Sequence, residues 1–341
     1  MELLGATREE LTKLCADLSQ PAYRGGQLAR WIYARGASSF EEMTDLPAAF
    51  RAELAGMAEL TRSRVLQVSR SPDGTDKFLW QLGDGNTIES VLLPYSDRLT
   101  VCVSSQVGCP AGCLFCATGA QGFVRNLTAG EIVDQLLALQ GRAGRRVTNV
   151  VYMGMGEPLF NYQAVLKSAR LLNHEVGIAM RHLTISTVGI VPKIRSLAKE
   201  QLQLTLAISL HAADDELRAR LMPVTRKYPL AALMSACREY AEETRRRVTF
   251  EYMLLGGVND DPDSARRLAA RLRGILCNVN LIPYNEVLGL DFRAPEKRAI
   301  QAFRKILEEA GTETTQRLER GHAVAAACGQ LRGSGGGDGR V

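Results

Sequence analysis

A chain of 341 residues, 46% hydrophobic and 23% charged, has material for one large α/β domain and a small accessory module, and needs no covalent staple to fold. No run of about 18 apolar residues occurs, which argues against a membrane span, and the opening MELLGATREELTKL carries charge where an export signal would be apolar. A net charge of +5 is mildly basic and only a weak pointer to a polyanionic partner.

The first sixty residues read as helical. Thr7 and Glu10 form a capping box ahead of ELTKLCADL, a second helix fits GQLARWIYAR, and a third fits PAAFRAELAGM with Pro47 near its first turn. From about residue 62 the period changes to alternation. RVLQV, DKFLWQL and NTIESVLL are strand-like, with Asp84-Gly85 as a hairpin turn between the last two, so a small antiparallel insert is expected.

From residue 98 apolar strands alternate with helices: LTVCVSS, then a helix opened by a Thr128/Glu131 capping box, then VTNVVYMG, HLTISTVG, QLTLAISL, VTFEYMLL and CNVNLIPYN, each followed by a helix. Repeated βα units with strands apolar on both faces imply a parallel sheet under helices, and about six such units predict a partial (β/α)6 barrel of the TIM-like kind. The expected organisation is a helical accessory domain at 1–60, an antiparallel β linker at 61–97, the partial barrel at 98–320 and a C-terminal segment at 321–341, whose Gly-rich tail should be disordered. Two arginine groups, Arg142, Arg145 and Arg146, and Arg245, Arg246 and Arg247, are either solvated loop and helix ends or RNA-facing patches.

Eight cysteines lie at 15, 102, 109, 113, 116, 237, 277 and 328. Three fall within eight residues, as Cys109-x-x-x-Cys113-x-x-Cys116 in the loop after the first parallel strand, which points to metal binding rather than to disulfides. A [4Fe–4S] cubane normally takes four thiolates; three leave one iron open to a ligand. A structural zinc site needs a fourth cysteine or histidine, and His174, His182, His211 and His322 are all distant in sequence. An electron carrier would also supply a fourth cysteine, for which Cys102, seven residues upstream, is the only nearby offer.

With this spacing, and Phe115 before the last cysteine, the chain resembles the radical S-adenosylmethionine superfamily. More narrowly, CVSSQVGCPAGCLFCATGAQGFVRNLTAGEIVDQ, PAYRGGQLARWIYARGASSFEEMTDLP, GMGEPLFNY, ISTVGIVPKI, SLHA, LIPYNE and AAACGQL resemble, in order from about residue 20 to 331, the adenine-C2 RNA methyltransferases of the RlmN type. The resemblance implies a [4Fe–4S] cluster on Cys109, Cys113 and Cys116 and S-adenosylmethionine chelated at its open iron, cleaved to a 5′-deoxyadenosyl radical. It implies that Cys328 is first S-methylated, that the radical takes a hydrogen from that methyl group, and that the resulting carbon adds to adenine C2. Cys102 then attacks the sulfur and releases the methylated base, leaving a Cys102–Cys328 disulfide. Glu89 matches the base that removes the C2 proton. Gly156 and Glu157 match contacts to the methionine amino group, and Ser186, Ser209, Leu210, His211 and Asn285 match contacts to nucleoside and carboxylate.

The implied substrates are 23S ribosomal RNA and transfer RNA, the implied partner is a small redox protein as electron donor, and the enzyme is expected in the cytoplasm as a monomer, processing both RNAs. Methylation at adenine C8 by the same two-cysteine chemistry is the nearest alternative. Taken singly, these residues have plainer readings. Ser186, Ser209 and Asn285 would be satisfied strand-end polar groups, Gly156 a turn glycine, Glu89 a solvent-face carboxylate, and Cys15, Cys237 and Cys277 inert packing. The chain departs from the family pattern at Ala323, beside His322, where an acidic residue is frequent.

Overall fold

The computed structural model of the chain describes residues 1–287, 289–317 and 320–333, so the tail expected to be disordered lies, from residue 334 on, outside the described residues. Three helices open the fold: α1 (Arg8–Asp17), α2 (Tyr23–Ala29), which runs on into a π-helical turn at Arg30–Ala34, and α3 (Ala48–Met57). Both arms of the first capping box form, Thr7 Oγ1 accepting from Glu10 N at 3.2 Å and Glu10 Oε2 from Thr7 N at 2.7 Å.

Three antiparallel strands follow, β1 (Arg64–Arg70), β2 (Asp76–Gln81) and β3 (Thr87–Pro94). These are the expected antiparallel strands, and they join the main body directly: β3 pairs antiparallel with β4 (Leu99–Cys102), the first strand of the barrel, and so extends the main sheet. The reason is visible in the burial of β3, whose residues from Ile88 to Leu93 are all buried and need a partner on both edges. After β4 come a short hairpin, β5 (Gln106–Gly108) and β6 (Phe123–Asn126), with the helical turn α4 (Ala117–Ala120) between them, and then α5 (Ala129–Ala143).

The remaining units are β7 (Asn149–Tyr152), α6 (Tyr162–His174), β8 (Leu183–Thr187), α7 (Val191–Lys199), β9 (Thr205–Ser209), α8 (Asp215–Leu221), α9 (Leu230–Thr244), β10 (Val248–Leu254), α10 (Pro262–Leu272), β11 (Cys277–Pro283), α11 (Lys297–Glu309) and β12 (Thr314–Gln316). One ten-stranded sheet runs β1-β2-β3-β4-β7-β8-β9-β10-β11-β12, parallel from β4 onward. The six expected parallel strands are there, and β12, too short to show a pattern, adds a seventh. Parallel pairing puts every strand's C-terminus at the same edge, where loops converge and ligands bind such folds.

The helical module is locked to the barrel at α5. Arg62 Nη1 meets Asp134 Oδ1 at 3.0 Å, Ser63 N donates to Asp134 Oδ2 at 2.6 Å, and Arg62 Nη2 reaches Ala37 O at 2.7 Å. Beside it the backbones touch: a Cβ on Gly130 would lie 2.2 Å from Leu4 O, so only glycine fits. No helix among the described residues is long and apolar enough to cross a membrane.

Candidate active site

Cys109, Cys113 and Cys116 line one cavity at the C-terminal edge of the sheet. Their loop is bracketed by the β5–β6 hairpin: Cys109 N donates to Gly122 O at 2.7 Å, and Gly108, at φ +71°, passes so near that a Cβ would sit 2.0 Å from that oxygen. Burial pushes the Cys109 thiol up to about 12, that of Cys113 well above its ordinary value and that of Cys116 upward. These thiols ionise only if a cation rewards them.

The same cavity collects Gly156, Glu157, Ser186, Ser209 and His211 from the ends of successive strands. Gly156 turns at φ +103°, where a Cβ would clash with Gln106 Cβ at 2.6 Å. Glu157 is buried; burial raises its carboxyl to about 7 against hydrogen bonds from Val188 N (2.7 Å), the Thr187 side chain and Leu159 N (2.9 Å). Ser186 Oγ and Ser209 Oγ lie 3.5 Å apart. His211 is held in the left-handed region at φ +56°, its Nδ1 accepts from Met253 N at 3.0 Å, and its ring meets Phe115 edge-on at 5.0 Å. Burial, then Arg218, push it down to about 3, so it is a neutral imidazole. Leu210 is fully buried behind the wall, and Asn285 opens instead onto an adjoining cavity.

Cys328 lines both cavities, and Cys102, the last residue of β4, lines the second with it. Burial pushes the Cys102 thiol up to about 12, and nearby Cys328 adds to the rise. Both thiols are free. The segment carrying Cys328 is pinned to the cysteine loop: Ala117 N donates to Gly329 O at 2.7 Å, Thr118 Oγ1 to Leu331 O at 2.5 Å and Gln121 Nε2 to Gly333 O at 3.1 Å. Glu89 is not a solvent-face carboxylate. It is buried on β3, paired with Lys77 Nζ at 3.0 Å and accepting from Arg332 N at 2.7 Å, outside both cavities, and burial raises its carboxyl.

Family models match the chain twice: "Ribosomal RNA large subunit methyltransferase N-terminal domain" at residues 1–60 and "Radical SAM superfamily" at 103–269. A dual-specificity RNA methyltransferase RlmN of Moorella thermoacetica is 52% identical over 97% of each chain. That of Gloeobacter violaceus is 50% identical over 97% of this chain and 94% of its own. The crystal structure of a radical SAM methyltransferase from Sphaerobacter thermophilus superposes with a TM-score of 0.94 at 47% identity, covering 98% of this chain and all of that one. The chain belongs to the RlmN family of radical S-adenosylmethionine RNA methyltransferases.

That family takes a [4Fe–4S] cluster and S-adenosylmethionine, and the donor set here fits them. Three soft thiols share a cavity, yet among the described residues no three Cys, His, Asp or Glu side chains converge as a single-ion site would require. A cubane takes each thiolate on a different iron, so its ligands stand apart.

Two cavity residues carry no sequence signal of their own. Glu251, inside the apolar run of β10, is buried, accepts from Asn280 Nδ2 at 2.9 Å and is raised by burial. Arg317 follows β12, lines both cavities and sits 3.7 Å from Met153 Sδ; its neighbours Cys328 and then Glu251 hold its guanidinium above its ordinary value. A polar residue at the end of a strand was the one available hint, and β12 itself was too short to announce that end. The Arg245–Arg247 group lies at the other edge of the sheet, around a polar hollow with Thr205, Thr249 and Asn278 at strand N-termini.

Proposed function

We propose that this chain methylates C2 of an adenine in 23S ribosomal RNA and in transfer RNA, through S-methylation of Cys328 and resolution by Cys102. The observation that carries this is the placing of Cys328 between the cavity of Cys109, Cys113 and Cys116 and the cavity of Cys102. An electron-poor ring carbon does not displace a methyl group from a sulfonium, whereas a thiolate does, so the methyl group passes first to sulfur. The Cys328 thiol loses its proton and gains the methyl carbon as the sulfonium bond breaks. Arg317, lining both cavities, offers its positive charge to whichever sulfur is ionised.

Cys109, Cys113 and Cys116 would hold the cluster, with Gly156, Glu157, Ser186, Ser209, Leu210, His211 and Asn285 around S-adenosylmethionine. When bound, cluster and cofactor together supply a 5′-deoxyadenosyl radical. A hydrogen atom passes from the Cys328 S-methyl group to that radical, and the methylene carbon bonds to C2. Glu89, whose raised carboxyl suits proton transfer, takes the C2 proton once the segment at Arg332 lifts from it, while the adduct's unpaired electron would return to the oxidised cluster. Cys102 as thiolate then attacks the Cys328 sulfur. The S–S bond forms, the bond to the methylene carbon breaks with its pair going to carbon, and that carbon takes a proton to become the methyl group.

Residues 1–60 would hold the RNA by shape and phosphate contact around an unstacked adenine, with a small redox protein as electron donor and the cytoplasm as the site of action. The test is digestion of RNA treated with the reconstituted enzyme and mass spectrometry against standards. 2-Methyladenosine is expected; 8-methyladenosine, or no methylated adenosine, overturns the proposal.

A further inference from the structure

Arg218 is completely buried in α8, yet its partners are not carboxylates. Nε donates to Leu210 O at 3.0 Å, Nη1 to Thr225 Oγ1 at 2.9 Å, and Nη2 to Val188 O at 2.7 Å and Ser209 O at 3.1 Å. Among the described residues no carboxylate stands within ion-pair distance. Asp215, a carboxylate that acts on it through space, is exposed and accepts from Leu230 N at 2.7 Å. Burial lowers the guanidinium to about 10, so it is still charged at neutral pH.

A buried cation answered only by dipoles is strongly disfavoured, and such charges persist where a counter-charge arrives. The geometry says where it would arrive. Val188 and Ser209, whose carbonyls Arg218 grips, line the cysteine cavity, and Met222, which follows α8, lines it too. Leu221 O accepts from Leu114 N at 3.0 Å, so α8 is tied to the cysteine loop between Cys113 and Cys116.

We propose that Arg218 is the buried counter-ion of the iron–sulfur cluster and that its charge raises the cluster's reduction potential, easing the entry of the electron that starts turnover. The inference rests on Cys109, Cys113 and Cys116 being the ligands. The sign follows from charge: three thiolates outweigh the cubane core in both oxidation states, and the added electron deepens the excess. A fixed positive charge therefore favours the reduced form.

The experiment is a redox titration of the full chain, reconstituted with iron and sulfide and followed by the electron paramagnetic resonance of the reduced cluster. Four proteins are compared: wild type, Arg218→Gln, Arg218→Lys and Thr225→Val. A midpoint displaced to more negative potential in Arg218→Gln, with Arg218→Lys and Thr225→Val close to wild type, is the expected result. An unmoved midpoint in Arg218→Gln overturns the proposal. So does an equal displacement in all three variants, which would make the residue a hydrogen-bonded clip whose charge is immaterial.

Should Arg218→Gln take up no iron, heat unfolding of the cluster-free proteins decides. A charge lacking its counter-ion predicts that the cluster-free variant is at least as stable as cluster-free wild type, and a lower unfolding temperature overturns the proposal. Wild-type protein that forms no reducible cluster would instead overturn the ligand assignment.

Discussion

The loop bearing Cys109, Cys113 and Cys116 and the segment bearing Cys328 face one cavity, but they are held there by different means. The loop is fixed locally, by a hairpin whose strands are a few residues away and by short-range bonds such as Cys116 N to Cys113 O at 3.2 Å. The segment has almost no structure of its own. Its place depends on bonds spanning the chain, such as Thr118 to Leu331 across 213 residues and Arg332 to Glu89 across 243. A locally determined site can be rigid; a site held by distant bonds can lift and reset, as the proposed chemistry asks of a thiol that meets cofactor, RNA and Cys102 in turn.

Substituting one cysteine from each region breaks the comparison most sharply. Cys113→Ala is expected to lose cluster iron and all methyl transfer, whereas Cys328→Ala keeps its iron and loses methyl transfer alone, as counted by iron assay and RNA methylation. Equal iron loss in both would merge the two regions into one.

The loop side is sharpened by pH, through His211 against Phe115. Its folded value of about 3 lies below the ordinary 6.5, so beneath pH 6.5 the unfolded chain takes a proton that the native state refuses. Native stability should therefore fall with falling pH, by up to about 1.4 kcal/mol per unit, and His211→Asn should flatten that slope in denaturant unfolding of the cluster-free protein.

On the segment side, Thr118→Val leaves Leu331 O buried without its donor at a cost of roughly 1–3 kcal/mol. Methyl transfer should drop about tenfold with iron content unchanged, and trypsin should cut sooner at Arg332. The smallest effect is expected far from both regions. Arg245→Gln, at the strand N-terminal edge, should alter RNA affinity by less than about twofold in a filter-binding titration, because a solvated charge remote from the reacting base contributes little.

What could be read from the sequence follows the same division. Both capping boxes, Thr7/Glu10 and Thr128/Glu131, and the six apolar parallel strands were legible because each is a local pattern, and the cysteine spacing was legible for the same reason. The joining of β1–β3 to the main sheet was hidden, since edge pairing between strands leaves no mark in either strand alone. So were Arg317, beyond a three-residue strand, and Glu251, which looks like an interruption in an apolar run. Cys102 and Cys328 carried no spacing signal at all; only the resemblance singled them out. Their meeting across the second cavity is a product of packing.

The central claim is that these two thiols act in succession on one base, and removing the second should strand the first. Cys102→Ala protein, reconstituted, turned over with RNA, treated with nuclease and digested with protease, is predicted to carry a methylene-linked adenosine nucleotide on the Cys328 peptide by mass spectrometry. An unmodified Cys328 peptide together with undiminished RNA methylation would contradict the account.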